Sequence, residues 1–205
     1  IIYNISAGEK FYFNEFNLLM GSGGVTYLPL VSGILSVTAK KNEKIKKNFN
    51  FHKFIFKPDT AENILKDYYR EKPHIASFSI SMWNEQLSLK VAQILKKKFG
   101  TLIIFGGASC PHEPTEYFKK YPFIDIAIRA EGEEAFNSVL LRYLDVKEDF
   151  SKIPNVAYRD KKTNKCIINF EKSNFTRDLD MYPSPYLEGE FDYLMPEGKK
   201  HNYQV

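Results

Sequence analysis

Residue types able to meet a ligand gather in four short stretches. These are Gly21-Ser22-Gly23-Gly24-Val25-Thr26-Tyr27-Leu28-Pro29, Ser79-Ile80-Ser81-Met82-Trp83-Asn84, Gly106-Gly107-Ala108-Ser109-Cys110-Pro111 and Arg129-Ala130-Glu131-Gly132-Glu133. Glycine lets backbone approach a flat or bulky ligand, and serine hydrogen-bonds to a ligand's edge. None has the GxxxxGK(S/T) spacing that cradles phosphate, nor the GxGxxG of a dinucleotide loop. Glu131, Glu133 and Glu134 could be taken for an acidic catalytic cluster. Carboxylates in a first helical turn are favoured by the helix dipole, so Glu133 and Glu134 read as helix-start residues. The histidines are scattered and Cys110 and Cys166 lie far apart, so no metal-ligand spacing is present. His112 lies near the third stretch and reads as a solvent-facing loop residue.

These stretches must be positioned by regular elements, and the middle of the chain alternates strand-like and helix-like segments. That is the pattern of a parallel sheet with crossover helices. Phe51 to Lys57 and His74 to Ser81 read as strands, the latter with Ala76, Phe78 and Ile80 on one side and Ser77 and Ser79 on the other. Between them, Asp59 and Glu62 have capping-box spacing, and Ile64, Leu65, Tyr68 and Tyr69 share one helix face. Asn84 is placed to cap a helix over Glu85 to Phe99, striped by Leu87, Val91, Ile94 and Leu95 and stopped by Gly100. Thr101 to Phe105 is apolar throughout, as a strand buried on both faces requires. Pro114 opens a short helix, Phe123 to Ile128 is a further strand, and Glu134 to Leu144 a further helix.

Towards the N-terminus, Tyr27 to Lys41 reads as a helix with Leu30, Val31, Ile34 and Leu35 inward; the strand before it could be Ile1 to Ile5 or Phe16 to Met20, with Ile1 to Ile5 and a long loop preferred. Beyond Asp149, Asn155 to Tyr158 and Lys165 to Phe170 flank a polar turn and read as a hairpin. Phe175 to Val205 lacks periodicity and reads as a linker along a surface. The fold class expected is α/β, a doubly wound, Rossmann-like five-stranded parallel sheet in flavodoxin-like order. Its domains are 1–149, with the hairpin and linker over 150–205. In such sheets ligands bind beyond the carboxyl ends of the strands, where the four stretches fall.

Bulk properties narrow the function further. Across 205 residues, 43% hydrophobic and 26% charged residues suit a globular domain, and a net charge of +4 does not argue for a nucleic-acid partner. The Lys40-Lys41, Lys44, Lys46 and Lys47 stretch reads as a solvated helix end. Two cysteines are too few for a disulfide framework, which suggests a cytoplasmic location. No apolar run suggests a membrane partner. Ile1 in place of Met, and an uncapped His201 to Val205, read as ends cut from something longer.

The residues resemble the cobalamin-binding domain of radical SAM enzymes. Tyr27-Leu28-Pro29 with Gly33, Ser81-Met82-Trp83-Asn84, Gly106-Gly107 and Glu131-Gly132-Glu133 with Phe136 carry the likeness. Pro183-Ser184-Pro185-Tyr186-Leu187 with Gly189, Phe191 and Asp192 is similar to the segment that joins this domain to the radical SAM barrel. The resemblance implies that Tyr27, Leu28 and Pro29 lie beside the corrin, and that Ser79, Ser81, Trp83 and Asn84 border its ring or tail. It further implies that Gly106, Gly107, Ala108 and Ser109 make room for the tail, while Glu131, Gly132 and Glu133 close the far side.

Two motifs of related proteins are absent. There is no DxHxxG, whose histidine ligates cobalt, and no cluster-binding CxxxCxxC. The resemblance therefore implies a chain that binds cobalamin with its own base displaced and serves a radical SAM methyltransferase. The barrel of the same parent chain would hold the 4Fe-4S cluster and S-adenosylmethionine, and a small-molecule or peptide substrate would bind elsewhere. A cobalamin-free scaffold of the same fold is the alternative. A receiver-type signalling domain fits poorly, because Arg129 stands where a lysine is needed and the Gly21 to Gly24 loop lacks clustered aspartates.

Overall fold

The computed structural model describes residues 2–5, 26–55, 60–82, 84–145, 149–170, 178–195 and 203–204. In chain order the elements are β1 (Ile2–Ile5), β2 (Thr26–Tyr27), α1 (Leu30–Lys40), α2 (Glu43–Asn48), α3 (Ala61–Glu71), β3 (Ile75–Ser79) and α4 (Glu85–Phe99). They continue with β4 (Leu102–Gly106), α5 (Pro114–Lys120), β5 (Ile126–Ile128), α6 (Glu133–Tyr143), β6 (Val156–Arg159), β7 (Cys166–Asn169) and β8 (Tyr203–Gln204). Six strands form one sheet in the order β1-β3-β4-β5-β6-β7, and β2 pairs with β8 separately. Pairing is parallel from β1 through β5, and Ile75–Ser79 faces Leu102–Gly106 residue for residue. No helix among the described residues is long and apolar enough to cross a membrane.

Strand alternation divides the core into two layers. Ala76, Phe78, Ile103, Phe105 and Ala127 face one side, where α3, α4 and α5 pack. Ile75, Leu102, Ile104, Ile126 and Ile128 face the other, with residues of α2 and α6. With helices on both faces, the sheet is doubly wound, and β4 lies inside it with all four residues from Leu102 to Phe105 buried, as its unbroken apolar run implied.

Several expectations need correction. The sheet is not wholly parallel: the hairpin expected beside it joins it, with β6 antiparallel to β5 and β7 antiparallel to β6. This arrangement covers the edge that β5 would otherwise expose. Phe51 to Lys57 supplies no sheet strand among the described residues, since Phe51 and Ile55 form only isolated bridges and 56–57 lie outside them. The Phe54 N–H donates to the Tyr193 hydroxyl at 2.9 Å, and the ring packs 6.1 Å from Phe191, so its apolar alternation serves another contact. Helix α3 is capped by Thr60, whose Oγ1 accepts from Asn63 N at 3.3 Å. Asp59 lies outside the described residues. Tyr69 is not inward but half out, with Phe99 at 5.8 Å and the Lys98 Nζ 3.8 Å over its ring.

The largest departure concerns α1. Leu30 and Val31 are exposed, while Ser32, Gly33 and Ser36 are buried. That small-residue face is covered by the segment 178–195, which was expected to be an irregular linker. It runs through short 3-10 turns at Leu179–Met181 and Asp192–Leu194. Phe191 is fully buried, and Glu190 accepts from Ser36 Oγ and Lys40 Nζ, each at 2.7 Å. Phe191 thus packs inside this fold, with Leu28 and Phe54 around it, whereas Leu187 is 90% exposed.

Candidate ligand cleft at the carboxyl edge of the sheet

A cleft of about 510 Å³ opens where β3, β4 and β5 end, bounded by the start of α6 and by Val31 and Leu35 of α1. Its position follows from local backbone chemistry. Beyond Ser79, Ile80 N donates to Gly106 O at 2.7 Å and Ser109 N donates to Ile80 O at 3.1 Å. The turn after β4 is therefore laced to the turn after β3. Gly107 has φ +99°, and a Cβ there would stand 2.7 Å from Ile80 O and 2.9 Å from Ile80 N. This glycine is demanded by two backbones in close approach, whatever binds above them. Gly106 is different: a Cβ would meet Ile128 O at 3.5 Å, an ordinary contact.

Of the residues singled out in the sequence, Ser79, Gly106, Gly107, Ala108, Glu131, Gly132 and Glu133 line the cleft. Asn84 is buried and does not line it. Its Oδ1 accepts from Ser81 N at 2.7 Å and its Nδ2 donates to Ser79 O at 2.8 Å, so it staples the loop rather than capping α4 with its side chain. Ser81 and Ser109 are half-buried beside that lacing and off the cleft lining. Leu28 packs with Phe54 and Phe191, and Pro29 is buried as the residue before α1. At Tyr27 only the backbone is described, paired with Gln204, and Trp83 lies outside the described residues.

Beyond the residues assigned to the cofactor, a floor and one further wall line the cleft. Ser77, Ile104, Ile128 and Phe136 line the cleft, as do Val31 and Leu35. Strand alternation sets Ser77 beside Ser79 in the sequence itself, and the same signal could have placed Ile104 with Gly106. Arg129 is the cation among the lining residues. Its guanidinium lies over the Phe170 ring at 5.4 Å and against the His112 imidazole, 2.8 Å from Nε2. Cys110 also lines the cleft, and burial pushes its thiol up to about 12 against the opposing Arg129 charge, so it stays protonated. Two lining residues, Ser77 and Glu133, carry buried oxygens with no hydrogen-bond partner among the described residues.

The fold and cleft define a doubly wound α/β domain with an open cleft at the carboxyl ends of its parallel strands, the edge where sheets of this kind take ligands. No family model matches the chain. Over 188 residues, 91% of its length, it is 29% identical to the cobalamin-dependent radical SAM methyltransferase TokK of Streptomyces tokunonensis. Over 187 residues it is 28% identical to a 2-(S-pantetheinyl)-carbapenam-3-carboxylate methyltransferase of Streptantibioticus cattleyicolor. In each case it spans 26% of the relative's length. The fold matches that of the cobalamin-dependent S-adenosylmethionine radical enzyme OxsB, solved with aqua-cobalamin and S-adenosylmethionine bound. The TM-score is 0.66 at 17% identity, over 94% of this chain and 25% of that one. Both sequence relatives are methyltransferases, TokK a cobalamin-dependent radical SAM one, and this chain corresponds to about a quarter of their length.

Proposed function

We propose that this chain binds cobalamin in the carboxyl-edge cleft, with the dimethylbenzimidazole base displaced from cobalt, and presents it to a radical SAM barrel of the same protein. The observation that carries this reading is the cleft itself. It sits at the strand ends of a chain whose relatives over nine-tenths of its length include a cobalamin-dependent methyltransferase. The residues suit such a ligand: Ile104, Ile128 and Phe136 are apolar, glycines and Ala108 leave room at the rim, and Ser77 and Glu133 carry oxygens without a partner among the described residues.

Bound cobalamin would supply a methyl group for transfer to an unactivated carbon of a small-molecule or peptide substrate. In this reading Ser79, Gly106, Gly107 and Ala108 border the tail, while Glu131, Gly132 and Glu133 close the far side. Residues 1–149 form the cofactor domain and 150–205 the hairpin and connection to the barrel. The iron-sulfur cluster and S-adenosylmethionine belong to that barrel, and the protein works in the cytoplasm. The sequence has no histidine before His52, so the loop after β1 offers no axial imidazole, in keeping with a displaced base and no protein ligand from that loop.

Mixing the intact protein with hydroxocobalamin and desalting tests the reading. A retained corrinoid spectrum is expected, and after reduction to Co(II) an electron paramagnetic resonance signal without nitrogen superhyperfine splitting. Retained splitting overturns the displaced base. Loss of all corrinoid on desalting leaves a scaffold that does not bind the cofactor.

A further inference from the structure

We infer that the segment 178–195 straps α1 into place from behind, so that docking of the strap and binding of a ligand in the cleft strengthen each other. The inference rests on the cobalamin reading above for the identity of that ligand. None of the described strap residues lines the cleft. They hold the helix that does. Val31 and Leu35 stand one helical turn apart and wall the cleft, while Gly33, Ser36 and Lys40 form the stripe that meets the strap. Two consecutive strap residues grip this stripe along its length. Phe191 fills the notch at Gly33 and packs on Leu28 ahead of the helix. Glu190 accepts from Ser36 Oγ and Lys40 Nζ, each at 2.7 Å.

Toward the sheet α1 has a slighter anchor. It gives Ala39 to the buried layer beneath it, with Leu35 half-buried there, and it begins at Pro29 without a side-chain cap. The Lys40–Glu190 pair is better shielded than an open surface pair, because the Glu190 side chain is 13% exposed. Placement of α1 matters to the cleft. A Cβ on Gly132 would stand 3.6 Å from Leu35 Cδ2, so any shift of the helix opens or closes the corner between α1 and the start of α6. The strap also reaches the start of α6: burial and the carboxylates of Glu133, Glu134 and Glu131 raise the Tyr182 hydroxyl above its ordinary value. A ligand against Val31 and Leu35 and a strap on the opposite face favour one placement of one helix. Close-packed elements transmit such a bias, and the coupling is reciprocal.

The test titrates hydroxocobalamin by absorbance into the intact protein as wild type, Glu190→Ala, Leu35→Ala and the double variant. Glu190→Ala frees Ser36 and Lys40 but leaves the Phe191 ring in its notch. Alone it should weaken the corrinoid about five- to tenfold. Beside Leu35→Ala, where the wall no longer meets the ligand, it should cost about twofold or less. Lys96→Met breaks the ion pair with Asp125 in α4, on the opposite face of the sheet, and controls for general loss of stability. Its affinity should stay within about twofold of wild type. In reverse, saturating corrinoid should slow hydrogen exchange in 178–195 more than in α3. Unchanged affinity in Glu190→Ala, an equal loss in Lys96→Met or beside Leu35→Ala, or no extra protection of 178–195 overturns the coupling and leaves the cobalamin reading intact. Failure of the wild type to hold any corrinoid overturns both.

Discussion

Phe191 occupies the space that a side chain at Gly33 would need. A Cβ on Gly33 would come within 2.9 Å of both Phe191 Cε1 and Pro185 Cβ. The glycine lies 158 residues before its partner in the chain, as the fourth residue of α1. Its cost to the helix is offset by the docking of a fully buried aromatic ring.

Gly33→Ala should therefore destabilise the protein by about 1–3 kcal/mol through overpacking, against the roughly 1 kcal/mol gain expected for this change in an open helix. In a Phe191→Ala background the penalty should shrink, because the ring is gone and Pro185 Cβ at 2.9 Å is the close neighbour that remains. Urea denaturation of the four-member cycle checks this, and additive effects would remove the coupling claimed here.

The two glycines after β4 should separate fold from ligand. Gly107→Ala is expected to destabilise the ligand-free protein markedly, since φ +99° and the Ile80 backbone both oppose a side chain. Gly106→Leu should retain most of the stability and instead crowd the cleft, lowering cobalamin affinity at least about tenfold. Melting curves and corrinoid titrations on both variants decide. Equal affinity in Gly106→Leu would argue against a ligand beside this residue.

Asp125 should titrate above the ordinary carboxylate value of 3.8. Burial raises it, and the Lys96 ammonium at 2.7 Å with the Ile103 N–H at 2.8 Å holds it back only in part. Because the folded value exceeds the unfolded one, this group favours the fold most below pH 3.8. That contribution is lost as pH rises through the folded value. Carbon-13 NMR of the carboxyl should place its midpoint above 3.8, and Lys96→Met should move it higher still. A midpoint at or below 3.8 would show that pairing outweighs burial.

Cys110 should resist alkylation at pH 8, because its thiol is buried and raised to about 12. Mass spectrometry after iodoacetamide should find it unmodified in the native protein and modified in urea. Rapid native modification would mean the cleft opens well beyond the geometry described.

The sequence by itself determined the doubly wound class, the run of β3, α4 and β4, and the edge at which the cleft opens. These are local consequences of hydrophobic period and of glycine, which stops a helix at Gly100 and permits the left-handed turn at Gly107. It could not show what covers each face. Val31 and Leu35 have the spacing of core residues, yet they wall the cleft, because the opposite face of α1 is taken by Phe191 and Glu190. Phe51 to Ile55 alternates like a strand, yet the Phe54 N–H is claimed by the Tyr193 hydroxyl. Gly106 and Gly107 look alike in one dimension, and only the approach of Ile80 makes one a necessity of the backbone and leaves the other to the cleft. Periodicity reports which residues share a face. Which partner that face meets depends on contacts between segments distant in the chain, and only tertiary packing decides them.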